Sequence, residues 1–175
     1  MPTFDVRHFE PADQTQVRNV IAQAFQQTGE AELVDTLRCR SEMLLELVAT
    51  SSNRIFGHIS FSRLSAQSGV ESLRACALAP LAVSPESQFS GIGSRLVTIG
   101  MDELKSRRIQ LLVVLGDPQY YERFGFSVKR AAALATRYSG PHLMAMELEP
   151  SCLGNKLWSV TYPSAFTEQE TRIVL

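Results

Sequence analysis

The apolar positions in the first half of the chain change their spacing several times. Residues 3–9 alternate between apolar and polar types, which predicts a strand. Residues 11–29 and 30–40 place apolar side chains at helical spacing, so two helices should follow, the first closed by Gly29. Three apolar stretches separated by short polar breaks then predict an antiparallel meander, and they span residues 43–50, 54–64 and 73–83.

The second half predicts a long helix followed by a buried strand. Residues 91–108 carry a single apolar stripe, and residues 109–115 form a continuous apolar run typical of a central strand buried on both faces. A meander that leads into a strand–helix–strand crossover implies an α/β fold, with a mixed sheet and helices on both faces. Weaker patterns predict the remaining elements. A short helix should cover residues 119–124, one strand should begin at Phe126, and two further strands should cover residues 142–148 and 156–162. The polar end of the chain is expected to fray.

One residue of the third meander strand does not suit a regular sheet. Pro80 has no backbone N–H and therefore cannot donate a hydrogen bond to a neighbouring strand. Its position predicts a bulge or a local loss of pairing in this strand.

Composition and charge limit the classes of function. The 175 residues suit one domain, and their 45% hydrophobic content supplies a full core. A formal net charge of −1, with no long basic run, argues against nucleic acid and anionic membranes as partners. The polar N-terminal residues do not resemble a signal peptide, and no apolar run approaches the ~20 residues of a membrane span, so we expect a cytoplasmic protein. The three cysteines lack the spacing of metal ligands, which predicts free thiols and no metal site.

The loop before the long helix is the clearest candidate for binding chemistry. Gly91 and Gly93 leave the backbone accessible at a helix start, where free N–H groups and the positive end of the helix dipole favour an anion such as a pyrophosphate. The hydroxyls of Ser90 and Ser94 could add donors. Leu96 stands where a dinucleotide-binding Gly-x-Gly-x-x-Gly loop needs glycine, and no nucleoside-triphosphate P-loop motif is present. A tight turn with close helix packing is the structural alternative.

Two sequence blocks resemble the GNAT superfamily of N-acetyltransferases. The first, LAPLAVSPESQFSGIGSRLV, is similar to that family's acetyl-CoA signature, a strand followed by Gln/Arg-x-x-Gly-x-Gly/Ala at a helix start, which Gln88, Gly91 and Gly93 match. The second, YYERFGF, resembles the family's Tyr-x-x-x-Gly-Phe block. Their separation and the order of the predicted elements also match, and the Asp117–Pro118 turn resembles a bacterial branch of predicted acetyltransferases.

The resemblance implies a GNAT-like three-layer α/β/α sandwich whose mixed, mostly antiparallel sheet has splayed central strands. It places the acetyltransferase domain in residues 1–150. Residues 151–175 would form a C-terminal extension packed on the same domain, with one further strand and a frayed tail. Pro80 is a reason within the residues to expect the splay at that strand.

The resemblance also implies an enzyme that moves the acetyl group of acetyl-CoA to a primary amine of a small molecule or a protein, by direct transfer in a ternary complex and without a metal. The pantetheine arm would pair like an added strand with Leu81, Ala82 and Val83. A homodimer is common in the family, although nothing in these residues requires one. The pyrophosphate would lie mostly on backbone N–H groups of the loop and first helical turn: Gln88, Phe89, Ser90, Gly91, Ile92, Gly93 and Ser94.

The resemblance implies a general acid for the reaction but leaves the general base unassigned. Tyr121 matches the family's general acid, and an unperturbed pKa of about 10 keeps a tyrosine protonated at neutral pH. The alternative is a Tyr121 that only packs or binds the pantetheine end, and we expect Tyr120 in the core or beside the acceptor. The base is open. Glu30 and Glu32 lie where the family binds acceptors, a water chain would serve equally, and both glutamates also suit a solvated helix start.

Other activities fit the same motifs. A non-catalytic acyl-CoA-binding or sensor module would keep the glycine loop without using Tyr121, and a transferase could use a longer acyl group. The three histidines, His8, His58 and His142, are scattered over predicted strands and suit core or rim positions. Trp158 suits a packing anchor, with an acceptor-side or dimer contact as alternatives.

Overall fold

The structure is a computed structural model that describes the backbone of residues 4–173 and the side chains of residues 4–168. No helix in this part of the chain has both the length and the apolar character needed to cross a membrane. The strands of the described chain form one sheet: β1 Asp5–His8, β2 Met43–Ser51, β3 Arg54–Ser68, β4 Glu71–Val83, β5 Leu111–Leu115, β6 Leu134–Ala135, β7 Leu143–Glu147 and β8 Trp158–Thr161. The α-helices are α1 Gln14–Phe25, α2 Gly29–Cys39, α3 Ile92–Ser106, α4 Pro118–Tyr121, α5 Val128–Ala131 and α6 Ser164–Ile173, with short 3-10 turns at Pro11–Asp13, Pro85–Ser87 and Glu122–Phe124.

The sheet is mixed and mostly antiparallel, as predicted. Its main strands run in the order β1-β2-β3-β4-β5-β7, and β2, β3 and β4 form the antiparallel meander. β4 and β5 are parallel, and α3 crosses over between them. β8 pairs with β3 at residues 65–67 and with the short β6, so the C-terminal segment adds to the same sheet.

Helices cover both faces of the sheet and give the three-layer sandwich. The alternation along β2 sends Leu47 toward α3 and Val48 toward α1 and α2. α3 approaches β3 closely because Gly100 has no side chain: a Cβ there would lie 2.6 Å from the ring of Phe61. On the α1/α2 face, the C-terminal segment packs around Trp158, which is a packing anchor.

β4 and β5 are paired over only part of their length. The last pair joins Leu78 to Val114, and residues 79–83 of β4 have no partner in β5. β5 itself ends at Leu115, after which the chain turns into α4. The central strands therefore splay and leave one edge of β4 open, as the family resemblance implied.

A bulge in β4 accompanies the splay. The register between β3 and β4 shifts at Ser60, which stands opposite both Ala79 and Pro80. Ser60 donates a hydrogen bond from Oγ to the carbonyl of Ala79 at 2.7 Å, and the peptide bond between these two β4 residues is cis. The irregularity expected from the proline is present at the position where it was expected.

No strand begins at Phe126, contrary to the prediction. Phe126 is buried, and Ser127 makes only an isolated bridge to Ala145 before α5 begins. The Oγ of Ser127 accepts a hydrogen bond from the N–H of Arg130 at 3.3 Å, so this serine caps a helix. The apolar residues on either side of Ser127 imitate the alternation of a strand, but the capping serine decides for a helix.

Two helix boundaries also differ from the prediction. α1 ends at Phe25, and Gly29 starts α2 instead of closing α1.

The end of the chain, expected to fray, forms α6, because Ala165 and Phe166 pack on leucines of α2. This packing is tertiary, so the polar composition of the tail did not reveal it. The last two residues of the chain lie outside the described part.

Replacing Gly100 with alanine should destabilise the protein. The added Cβ would lie 2.6 Å from the Phe61 ring, and the required shift costs about 1–3 kcal/mol, more than the ~1 kcal/mol that alanine gains over glycine in a helix. Urea unfolding should therefore give a lower free energy of unfolding. The control is Thr98→Ala on the exposed face of α3, which should stay within about 0.5 kcal/mol of the wild type. Equal or higher stability of Gly100→Ala would contradict the close contact.

Candidate active site

A cleft of about 560 Å³ opens where β4 continues without β5. Its walls come from the end of α1, the end of β4, the loop after β4, the start of α3, and α4 with the turn that follows it. The described residues contain no group of three or more His, Cys, Asp or Glu side chains that could hold a metal ion. The lining residues are Ala24, Phe25, Leu81, Val83, Ser87, Gln88, Phe89, Gly91, Ile92, Gly93, Ser94, Tyr120 and Arg123.

The residues predicted to hold acetyl-CoA line this cleft, with the exception of Ala82 and Ser90. The side chain of Ala82 is buried on the opposite face of β4, against α1 and α2. Ser90 is exposed and donates a hydrogen bond from Oγ to the carbonyl of Ser87 at 2.5 Å. Gln88 uses its side-chain amide to donate to the carbonyl of Val83 at 3.2 Å, which ties the loop to the end of β4.

The start of α3 presents its backbone to the cleft. Gly91 is the N-cap residue with a φ of +88°, a conformation that favours glycine, and no side chain caps the helix. The first N–H groups of a helix have no partner within the helix, and the helix dipole adds positive potential at this end. This wall of the cleft therefore suits an anion such as a phosphate.

Gly93 makes room for a tyrosine. A Cβ at position 93 would lie 2.6 Å from the hydroxyl oxygen of Tyr120. Tyr120 therefore reaches from α4 to the first turn of α3, and it belongs to the cleft lining. The sequence predicts it in the core or beside the acceptor, and the structure places it in the lining of the cleft. The two glycines have different roles, since Gly91 needs its backbone conformation and Gly93 needs its lack of a side chain.

Tyr121 lies behind Tyr120 and outside the cleft lining. Its ring centroid is 4.9 Å from that of Tyr120 and 5.6 Å from that of Phe126, edge-on to both rings. The ring also covers Gly116, where a Cβ would lie 2.6 Å from it. Burial, with a smaller contribution from Tyr120, raises the pKa of Tyr121. A tyrosine is protonated at neutral pH without any shift of its pKa, and this shift makes the hydroxyl of Tyr121 a weaker acid.

Arg123 is a cleft residue that the sequence analysis missed. Its guanidinium carbon lies 4.0 Å from the ring centroid of Tyr120, a cation–π contact. It has no carboxylate partner among the described residues. This cation adds to the attraction of the cleft for an anionic ligand. The clue in the sequence is the basic residue inside the YYERFGF block.

Glu30 and Glu32 lie in the first turn of α2 and do not line the cleft. Glu30 accepts a hydrogen bond from the side-chain amide of Gln27 at 2.8 Å, and its Oε2 is buried with no partner among the described residues. Glu32 accepts from the hydroxyl of Thr28 at 3.1 Å. Both charges suit the positive end of α2, and the structure does not bring them into contact with the predicted cofactor residues.

A buried pair of titratable side chains, Glu46 of β2 and His58 of β3, lies next to β4. His58 is 0% exposed, and its Nε2 is 2.7 Å from Oε1 of Glu46. Arg38 of α2 donates from Nε to Oε2 of the same carboxylate at 2.9 Å. Arg38 also donates to Asp35 at 2.8 Å and stacks over the ring of Phe9 at 4.1 Å. Burial of His58 agrees with a core histidine, but its partner comes from another strand and was not foreseen.

The protonation states of this pair follow from burial and hydrogen bonding. Burial, with a smaller contribution from the charge of Arg38, lowers the pKa of His58 and outweighs the hydrogen bond and charge of Glu46, which raise it. Burial acts to raise the pKa of Glu46, but hydrogen bonds from Arg38 and His58 outweigh this effect and hold it below its usual range. At neutral pH Glu46 is therefore a carboxylate and His58 a neutral imidazole.

The fold and the cleft agree with the acetyltransferase class, and a family model matches the chain directly. Residues 5–129 match the model of the acetyltransferase (GNAT) domain, which is most of the chain. The chain belongs to the GNAT acetyltransferase family.

Relatives and solved structures agree with this assignment. The chain is 34% identical over 131 residues to the uncharacterized N-acetyltransferase YhbS of Escherichia coli strain K12, covering 74% of this chain and 77% of YhbS. It is 36% identical over 128 residues to the uncharacterized N-acetyltransferase YjhQ of the same strain, covering 69% of this chain and 71% of YjhQ. The crystal structure of YhbS in complex with CoA matches with a TM-score of 0.87 at 29% identity, over 95% of this chain and 93% of that one. A GNAT family acetyltransferase from Brucella melitensis in complex with acetyl-CoA gives a TM-score of 0.78 at 29% identity, over 95% and 99% of the two chains.

The buried histidine should make the stability of the protein depend on pH. The pKa of His58 is lower in the folded than in the unfolded chain, so the unfolded state binds more protons as the pH falls through about 6.5, and stability is lost there. His58→Gln lacks this contribution. The free energy of unfolding of the wild type minus that of the variant should therefore shrink between about pH 7.5 and about pH 5.5 in urea unfolding series. A difference that stays constant over this range would contradict the lowered pKa.

Proposed function

We propose that this protein is an N-acetyltransferase that moves the acetyl group of acetyl-CoA to a primary amine by direct transfer within a ternary complex. The acceptor amine belongs to a small molecule or to a protein. The observation that carries the proposal is the cleft between the open edge of β4 and the uncapped start of α3. Similar structures solved with CoA and with acetyl-CoA support it.

The residues around the cleft fit CoA. Its pyrophosphate is an anion, and the backbone N–H groups at residues 91–94 supply donors at the positive end of α3, with the Arg123 guanidinium on the same cleft. Its pantetheine arm carries amides, and residues 81–83 of β4 have a strand edge that β5 does not use. When bound, its thioester supplies the activated acetyl group.

Tyr121 is the proposed proton donor to the departing thiolate. A phenol has an ordinary pKa of about 10 and is protonated at neutral pH. The place of Tyr121 beside Gly116 puts it at the end of β5, next to the splay. Tyr120, whose hydroxyl reaches the first turn of α3, is proposed to contact the cofactor instead. The two neighbouring tyrosines thus have separate roles.

Glu30 and Glu32 are proposed to attract the ammonium group of the acceptor. They stand at the joint between α1 and α2, and the last residues of α1, Ala24 and Phe25, line the cleft. The unpartnered Oε2 of Glu30 would gain a charge-assisted hydrogen bond from a bound ammonium group.

Gly91→Glu should greatly weaken the binding of acetyl-CoA and of CoA. The new carboxylate would repel the phosphates, and about 1.4 kcal/mol of repulsion already raises the Kd tenfold. Isothermal titration calorimetry measures both ligands. Gly69→Glu is the matched control, because Gly69 also has a positive φ, +60°, with nothing within 4 Å of a Cβ, but lies in the β3–β4 turn. Intact binding by Gly91→Glu would contradict the role of the loop, and no binding by the wild type would overturn the proposed function.

Tyr121→Phe should lower kcat about 100-fold while leaving the affinity for acetyl-CoA unchanged, since it removes only the proton donor. Tyr120→Phe should mainly raise the KM for acetyl-CoA. The assay is the release of the CoA thiol in the presence of a panel of primary amines. A full rate for Tyr121→Phe would show that this tyrosine is not the donor. Tight binding of acetyl-CoA by a wild type that acetylates no amine would favour the acyl-CoA-binding module.

A further inference from the structure

A network of charged and polar side chains extends from the surface of α1 to the interior of the sheet. Arg18 on α1 contacts Asp35 on α2, Asp35 contacts Arg38, and Arg38 contacts Glu46 on β2. The network ends at His58 on β3, which is 0% exposed. Each of these side chains contacts the next member of the network.

The second ring nitrogen of His58, at the inner end of this network, has no such contact. Nδ1 of His58 is buried and has no partner among the described residues. With Glu46 ionised and His58 neutral, the proton of the imidazole sits on Nε2 and is donated to Glu46, so Nδ1 carries a free lone pair. A buried acceptor without a partner is unfavourable, and a native fold that keeps one calls for an explanation.

The position of His58 relative to the splay explains why this nitrogen has no partner within the protein. His58 stands opposite Ala82 in the β3–β4 register, so both side chains lie on the α1/α2 face of the sheet. The two neighbours of Ala82, Leu81 and Val83, line the cleft on the α3 face of the same strand. Paired residues on adjacent antiparallel strands have Cβ atoms about 5 Å apart. Because β5 has no pairing beyond Leu78, β4 is the only strand between His58 and the open edge.

Two hydroxyl groups continue from His58 along the same face of β3. Ser60 and Ser62 alternate with Phe61, which faces α3, and therefore lie on the His58 side. Ser60 donates to the carbonyl of Ala79 in the bulge, and Oγ of Ser62 is buried without a partner among the described residues. These groups form a short polar strip in an otherwise apolar layer, at the level where β4 leaves β5.

We propose that His58 is the proton acceptor of the transfer reaction and takes the proton of the acceptor ammonium group at Nδ1, through a water held by the hydroxyls of Ser60 and Ser62. This inference rests on the proposed function and fills the role of base that the sequence left open. The ammonium N–H bond breaks and its proton ends on Nδ1. The neutral nitrogen then bonds to the acetyl carbonyl carbon, and the C–S bond breaks with its electron pair on sulfur. The thiolate takes a proton from the Tyr121 hydroxyl. The nitrogen loses its second proton as the amide forms, and that proton restores the phenol of Tyr121, while the proton on Nδ1 of His58 leaves to solvent.

The charged groups that face His58 suit this role. Glu46 from β2 stabilises the imidazolium that forms, and Arg38 from α2 holds the carboxylate in place while its own charge opposes protonation. From β4, the facing residue is the apolar Ala82. A carboxylate bonded to the far nitrogen of a histidine fixes the tautomer and orientation of the ring, which is how a base is kept ready.

The test compares two acceptor amines of similar size with acetyl-CoA as donor. Ethylamine is an ammonium ion at pH 7 and must lose a proton, whereas 2,2,2-trifluoroethylamine is already mostly neutral. His58→Gln keeps an amide that can donate to Glu46 but has no basic nitrogen. It should lower kcat/KM for ethylamine about 100-fold, remove the acidic limb of its pH profile, and leave kcat/KM for trifluoroethylamine nearly unchanged.

Two further variants keep the test decisive. His8→Gln is the matched control, because His8 also pairs with a glutamate, Glu103, at 2.9 Å but lies at the surface on β1, and its rates should equal those of the wild type. Glu46→Gln tests the same proposal if His58→Gln does not fold. Loss of the carboxylate should slow ethylamine acetylation and move the acidic limb of its pH profile to lower pH, which a merely structural role would not do.

The outcomes separate this inference from the proposed function. Equal losses for both amines, or an unchanged pH profile in His58→Gln, would overturn the role of His58 while acetylation by the wild type upholds the enzyme. A wild type that binds acetyl-CoA in the calorimeter and acetylates both amines at rates that His58→Gln retains would likewise remove His58 from the reaction. A wild type that neither binds acetyl-CoA nor acetylates either amine would overturn both.

Discussion

Beyond the pair of Leu78 and Val114, the backbone of β4 no longer pairs with β5, and the carbonyl of Val83 accepts a side-chain hydrogen bond from Gln88 instead. Backbone polar groups of a central strand cannot stay unpaired in an apolar interior, so this edge must face solvent or a ligand that hydrogen-bonds like a strand. The opening of the cleft, its position on the α3 side and the exposure of the start of α3 all follow from that local loss of pairing. The bulge at Pro80 fixes where it begins, because proline cannot donate to the ladder.

The cleft combines this open edge with a second unsatisfied element, the first turn of α3. Gly91 lets the chain enter the helix with positive φ, and Gly93 lets the Tyr120 hydroxyl approach the helix axis. A strand edge that offers amide groups and a helix start that offers N–H donors suit the two chemically different parts of CoA, its pantetheine arm and its pyrophosphate. Family membership and this geometry agree, and the assignment of acetyl transfer rests on both.

The layer on the other face of the sheet is organised differently. Apolar clusters under α1 and α2 and under the C-terminal segment are separated by the Arg38–Glu46 ion pair and the hydrogen bond between Glu46 and His58. A buried ion pair of this kind contributes little net stability, because desolvation offsets the Coulomb attraction. Its place next to the splay agrees with the proposed role of His58 as the proton acceptor.

The sequence by itself determined the meander, the crossover helix, the two glycines and the irregularity at Pro80, because these depend on local chemistry: apolar spacing, backbone conformation and a missing donor. It did not determine the helix at the C-terminus or the absence of a strand at Phe126, since packing of α6 on α2 and the cap by Ser127 decide those. Nor could it separate Tyr120 from Tyr121 or join Glu46 to His58. Which neighbouring side chain faces a cleft, and which strands meet, is set by register and close approach between distant segments, and only the tertiary structure contains that information.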